Sequence, residues 1–146
     1  LKVAIVGKLA KYVSFEDDSS KSFVITVLNN PFENLFNAVY NGKKINSKPV
    51  KIVYINDIQD LKETNIFYIP QVNSKTLSSA LDKSKNRNIL TISSTRGFAQ
   101  RGGMIQLYFV SQKLKLKINT QQATKEGIKI KPMLLRISDI VKGGKQ

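Results

Sequence analysis

The sequence predicts an α/β domain with a mostly parallel sheet of about six strands, helices on both faces and a C-terminal antiparallel hairpin. Three observations carry that expectation. First, four apolar runs rich in β-branched residues, FVITVL (23–28), VKIVYI (50–55), IFYI (66–69) and ILTIS (89–93), alternate with stretches of helical periodicity. Runs with little polar interruption suit strands covered on both faces, as in a parallel sheet. Second, the rhythm changes after residue 93. MIQLYFV (104–110) and KLKLKIN (113–119) flank Ser111-Gln112, with Leu114, Leu116 and Ile118 alternating against Lys113, Lys115 and Lys117. Period-two alternation describes a strand with one solvated face, and the lysine row discourages edge-to-edge pairing. Third, the chain has 146 residues, a length that suits one hydrophobic core.

The elements follow in order. Residues 1–14 read as a helix whose apolar face is Val3, Ile5, Val6, Leu9, Ala10 and Val13. A polar loop, FEDDSSKS, leads to the first strand. Asn30 is expected to cap the next helix, with Pro31 in its first turn; Phe32, Leu35, Phe36 and Val39 recur at helical spacing until Gly42. The basic loop GKKINSKP precedes the second strand. Asp57 caps a short helix through Leu61, and Ser74 caps a helix bearing Leu77, Ala80 and Leu81. Thr120 caps a short helix through Glu126 that Gly127 stops. Pro132 opens a last amphipathic helix carrying Met133, Leu134, Leu135, Ile137, Ile140 and Val141. Residues 1–142 form the expected domain, and 143–146 its tail or the start of a linker. The chain opens without methionine, as expected of a fragment or of a protein relieved of a presequence.

Composition narrows the chemistry. There is no cysteine and no histidine, which removes thiol nucleophiles, disulfides and imidazole acid–base work. The net charge is +14, a field that attracts nucleic acid, anionic lipid or an acidic protein. Only Arg87, Arg96, Arg101 and Arg136 supply guanidinium groups, the preferred readers of bases and phosphates, so nucleic acid is the less favoured partner. Glu16, Asp17 and Asp18 lack the spaced ligands of a calcium loop and read as a solvated turn. Ser93, Ser94 and Thr95 follow a strand end, where α/β sites gather, but without histidine the base for a nucleophilic serine would have to be a lysine, and no S-x-x-K motif opens a helix in the context this requires. No catalytic residue, metal site or cofactor is expected.

The stretch GFAQRGGMI (97–105) is glycine-rich and precedes a strand. A phosphate-binding fingerprint must lead into a helix, so this is not one. Gly97 reads as a turn and Phe98 as an apolar anchor. Gly102 and Gly103 allow backbone conformations or close approaches closed to other residues, permitting the chain to re-enter the sheet. Arg101 either ties the loop to a carboxylate or carbonyl or meets a ligand or partner.

These residues also resemble the signature of the YfiR-like family of periplasmic regulators. The resemblance extends through KYVSFED, FVITVLNNPF, GKKINSKPVKI, NIFYIP, NILTISSTRGF, KLKLKIN and GIKIKPMLLRISDIV, nearly the whole chain. It marks Gly97, Gly102, Gly103, Met104, Ile105 and Asn119 as the structural motif. Arg96, Phe98 and Arg101 are the candidate partner- or ligand-binding residues. The resemblance implies a non-enzymatic periplasmic domain that binds and restrains a membrane signalling protein, a diguanylate cyclase, and so controls cyclic-di-GMP. The alternatives are an extracytoplasmic ligand-sensing domain of a histidine kinase and a basic nucleic-acid-binding protein. A small-molecule ligand and a homodimer both stay open. Relatives carry disulfide-forming cysteines, which this chain lacks; where many have Asn-Phe in the first helix it has Lys8-Leu9.

Overall fold

The structure, a computed structural model, describes residues 1–142; the expected tail at 143–146 lies outside the described residues. Helix α1 (Lys2–Ala10) buries Val3, Val6, Leu9 and Ala10. It ends four residues earlier than its apolar pattern suggests. Val13–Phe15 is strand β1, paired antiparallel with residues 128–130. Val13 and Phe15 satisfy both a helical and a period-two reading, and the pairing with Ile130 and Ile128 decides between them.

Strand β2 (Phe23–Leu28) follows. Helix α2 (Leu35–Tyr40) starts later than expected. Asn30 does not cap it: its Oδ1 accepts from the Phe32 N–H at 3.0 Å, closing a tight turn instead. Phe32 stays outside the helix, yet its ring packs edge-on against Phe36 and Tyr68. The basic loop holds a short strand, β3 (Lys44–Ile45), which turns through Asn46 and Ser47 into β4 (Lys48–Ile55). Both turn residues have positive φ, as the two-residue hairpin geometry demands. Asp57 accepts from the Gln59 N–H and opens a 3-10 turn, Ile58–Asp60.

Strand β5 (Ile66–Ile69) leads to α3 (Ser74–Ser84), capped by Asn73 rather than Ser74 through a 2.8 Å bond from the Thr76 N–H. Strands β6 (Leu90–Ser93), β7 (Ile105–Val110) and β8 (Lys113–Asn119) follow. Asn119, not Thr120, caps α4 (Thr120–Lys125). Strand β9 (Ile128–Ile130) completes the ribbon with β1. Helix α5 (Pro132–Arg136) is one short piece, and Ile140 and Val141 lie in strand β10 (Asp139–Val141) instead of continuing it. Strand β10 runs parallel to β8, opposing Ile140 to Ile118.

The main sheet therefore has eight strands, not six, in the order β10-β8-β7-β6-β5-β2-β4-β3. The expected β7–β8 hairpin forms, but it does not close the sheet, because β10 covers the outer edge of β8. The pairing with β10 reaches only residues 117–119, so Lys113 and Lys115 still project from an open edge of β8. Alternation along each strand divides the core. Phe23, Ile25, Val27, Ile66, Tyr68, Leu90, Ile92, Ile105 and Leu107 face α1 and α2. Leu28, Phe67 and Ile69 face α3, with Phe98 and Leu77. Helices cover both faces over the central strands.

Tyr40 fastens α2 to α1. Its hydroxyl donates to the Val3 carbonyl at 2.5 Å and accepts from the Gly7 N–H at 2.7 Å. A Cβ on residue 7 would stand 2.6 Å from the Tyr40 ring, so glycine is required there. Burial raises the pKa of Tyr40 and of Tyr68. Above about pH 10 the unfolded tyrosines ionise while these two stay protonated, so their contribution to stability is full below that pH and declines above it. We expect Tyr40→Phe to cost about 1–3 kcal/mol at neutral pH and to lose less stability in the alkaline range; urea midpoints across pH measure both.

Candidate functional site

Strands β6 and β7 are parallel neighbours joined by residues 94–104 alone. Such crossovers usually contain a helix. Here they contain one tight turn, and the glycine pair ends it. The Gly103 N–H bonds to the Phe98 carbonyl at 2.9 Å and the Gly102 N–H to the Ala99 carbonyl at 3.3 Å, with Gly102 at φ +107°. This is the paired 6→1 and 5→2 pattern by which a helical turn is terminated on a left-handed glycine. Gly97 (φ +79°) begins the turn. Gly103 is needed for space: a Cβ there would collide with the Phe98 ring. The glycine pair thus returns the chain to the sheet parallel to β6, and the hairpin forms only afterwards, at Ser111-Gln112.

Three buried or nearly buried polar side chains hold the turn's backbone. Gln106 Oε1 accepts from the Ala99 N–H at 3.1 Å. Asn119 Nδ2 donates to the Ala99 carbonyl at 2.8 Å, while its Oδ1 accepts from the Gln122 N–H at 3.0 Å. Thr91 Oγ1 accepts from the Met104 N–H at 3.0 Å. Met104 and Ile105 are fully buried. Asn119 therefore ties this loop to the start of α4.

Phe98, expected as a partner- or ligand-binding residue, is fully buried in the α3-side core. Its ring fills the space over Gly103, so it offers no surface to a partner. Arg101 donates to the Ser74 carbonyl at 3.2 Å and to Ser78 Oγ at 2.7 Å, anchoring the loop to α3. It bonds a carbonyl, one of the two acceptor types its position suggested. Arg96 is exposed and stands between two hollows at the C-terminal edge of the parallel strands. Ligands of open α/β sheets gather at that edge.

The larger of the two hollows, about 480 Å³, is lined by Lys2, Arg96 and Lys117 among others. Lys2 Nζ donates to Ser94 Oγ at 3.3 Å and lies 6.0 Å from the Phe109 ring centroid. Lys117 Nζ stands 5.1 Å from the Tyr108 ring centroid. The nearby Asp139 carboxylate accepts a short bond from the Tyr108 hydroxyl, which raises the tyrosine's pKa. A third and larger hollow, of about 770 Å³, lies between the β1–β9 ribbon and α4, lined mainly by apolar groups together with Glu16 and Lys129. Among the described residues no cluster of acids offers a metal site. Asp17 bonds Ser19, and Asp18 pairs with Lys48 at 2.7 Å.

Sequence reasoning missed Gln106, whose signal was a polar residue inside an otherwise apolar run. It also missed Glu126. That buried carboxylate accepts from the Asn86, Arg87 and Asn88 N–H groups at 2.8, 3.2 and 3.1 Å. Asn86 and Asn88 take positive φ to present them. Nothing local to Glu126 announces donors some forty residues away.

The fold and this loop define a mixed α/β domain whose strand-end edge carries a rigid crossover beside a cationic cleft. The chain belongs to the YfiR/HmsC-like family, whose model matches residues 1–139. No curated protein matches it.

Two substitutions test the loop. Gly103→Val forces a buried ring aside and should cost about 1–3 kcal/mol; thermal melting unchanged from the wild type would refute the close-packing account. Asn119→Ala removes the cap of the Gln122 N–H and leaves the Ala99 carbonyl only its 3.3 Å bond from Gly102; it should cost about 1–3 kcal/mol, with faster amide exchange at Gln122 as its local signature.

Proposed function

We propose that this chain is a non-enzymatic regulatory domain of the periplasm that binds and restrains a membrane signalling protein, a diguanylate cyclase, and so controls cyclic-di-GMP production. The observation that carries the reading is the family match over residues 1–139, a family of regulators of such signalling. No helix among the described residues is long and apolar enough to cross a membrane, and the contact proposed is one through this domain's surface. Arg96 and the exposed part of the 94–103 loop supply that surface, on a support fixed by Arg101, Gln106 and Asn119. Regulation then requires different affinities for the two signalling states of the partner.

The second reading, the sensing domain of a larger extracytoplasmic receptor, is favoured by the 480 Å³ hollow beside the same loop, a volume within the range of small-ligand sites. Binding to nucleic acid is less well supported, because Arg87 and Arg101 are occupied with main-chain carbonyls.

Affinity capture from detergent-solubilised membranes tests the first reading. The wild type should retain a diguanylate cyclase and lower its product yield. Arg96→Glu should weaken retention by about tenfold through charge reversal at the contact. Absence of any retained cyclase, together with steeply salt-dependent DNA binding, would overturn the reading in favour of a nucleic-acid partner.

A further inference from the structure

We infer that the hollow bounded by Lys2, Arg96 and Lys117 is a binding site for a small anion bearing carboxylate or phosphate groups. Three cationic side chains, from α1, the β6–β7 crossover and β8, line it, with Lys2 beside Phe109 and Lys117 beside Tyr108 on the other face of β7, and its lining contains no carboxylate. None of the three forms an ion pair among the described residues, where the pairs are Lys48–Asp18 and Lys85–Asp82. Asp139, the acid opposite Lys117 in the β10–β8 pairing, accepts from Tyr108 instead.

A neutral donor accompanies the cations. Gln106 is 4% exposed and lines the hollow. Its Oε1 is occupied by the Ala99 N–H, whereas its Nε2 has no partner among the described residues. The amide is thereby fixed with its donor end free, beside a lining of side chains that favours negative charge. Charge-assisted bonds from Arg and Lys to such oxygens are the strong ones.

The β7 side of the hollow is open because β6 ends before it. Pairing between β6 and β7 ends at Ser93 and Gln106, so Leu107, Tyr108 and Phe109 have no strand neighbour on that side, and they line the hollow. The bottom of the site is also the support of the crossover, since Gln106 holds Ala99. A ligand on Gln106 Nε2 would stiffen the turn that presents Arg96. The regulatory meaning of the site rests on the function proposed above; its occupancy does not.

Calorimetric titration of the protein at low salt, with pyrophosphate and with citrate as probes, decides the matter. Saturable one-to-one binding of either is expected, and the tighter of the two assigns the ligand to phosphate or carboxylate chemistry. Arg96→Gln and Lys117→Gln should each weaken that binding by about tenfold or more. Lys62→Gln removes the same charge far along the chain and should leave it unchanged, with melting curves confirming that all three variants fold. Failure of both probes to bind, or equal weakening by Lys62→Gln, would overturn the site as a mere effect of net charge. Cyclase capture repeated with the better probe separates the two claims: anion binding without capture removes the proposed partner and leaves the site, and capture without anion binding does the reverse.

Discussion

The structure depends on how the chain crosses from β6 to β7 without a full helix. Parallel neighbours force the chain to travel back along the sheet, and eleven residues do it here. A connection that enters the core cannot leave its amides and carbonyls to water. It must find partners among side chains. Ala99 is the clearest case: its N–H goes to Gln106 and its carbonyl to Asn119, both buried. The glycine-terminated turn satisfies others internally, through the Phe98 carbonyl. Loss of Gln106 leaves the buried Ala99 N–H alone, and that asymmetry makes the loop a unit.

The same device recurs elsewhere in the molecule. Glu126 gathers three N–H groups of the turn 86–88, joining the end of α4 to the turn before β6. Tyr40 joins α2 to α1 by a hydroxyl that both donates and accepts. Each connects segments distant in sequence through a polar group enclosed by apolar packing. The chain has no cysteines, and these fixtures join segments distant in sequence without a covalent cross-link. They leave the C-terminal edge of the sheet rigid in its backbone and open in its side chains. Arg96, Lys2 and Lys117 are presented there, while Arg101 is committed to α3. A firm support beneath exposed charge suits recognition, because little ordering cost remains at the moment of contact.

What the sequence determined by itself was the set of strands whose side chains could serve only one purpose. The runs 23–28, 66–69 and 89–93 are too apolar for a surface and too β-branched for a good helix, so physical chemistry leaves them the middle of a sheet; 50–55, with Lys51 and a half-exposed Tyr54, forms a strand near its edge. The hairpin at Ser111-Gln112 and the glycine-rich loop were legible for the same reason, since alternation and left-handed turns leave local marks.

The tertiary structure decided whatever local pattern left balanced. Val13 and Phe15 became strand because Ile128 and Ile130 lie opposite. Ile140 left the helical pattern because the edge of β8 offers backbone partners that a short helix after Pro132 cannot match. Caps moved by one residue to Asn73 and Asn119, whose side chains each reach the third helical N–H group. The cleft itself had no sequence signature. Lys2, Arg96 and Lys117 come from three separate elements, and only the sheet order brings them to one edge, since charge spacing along a chain says nothing about distance across a fold.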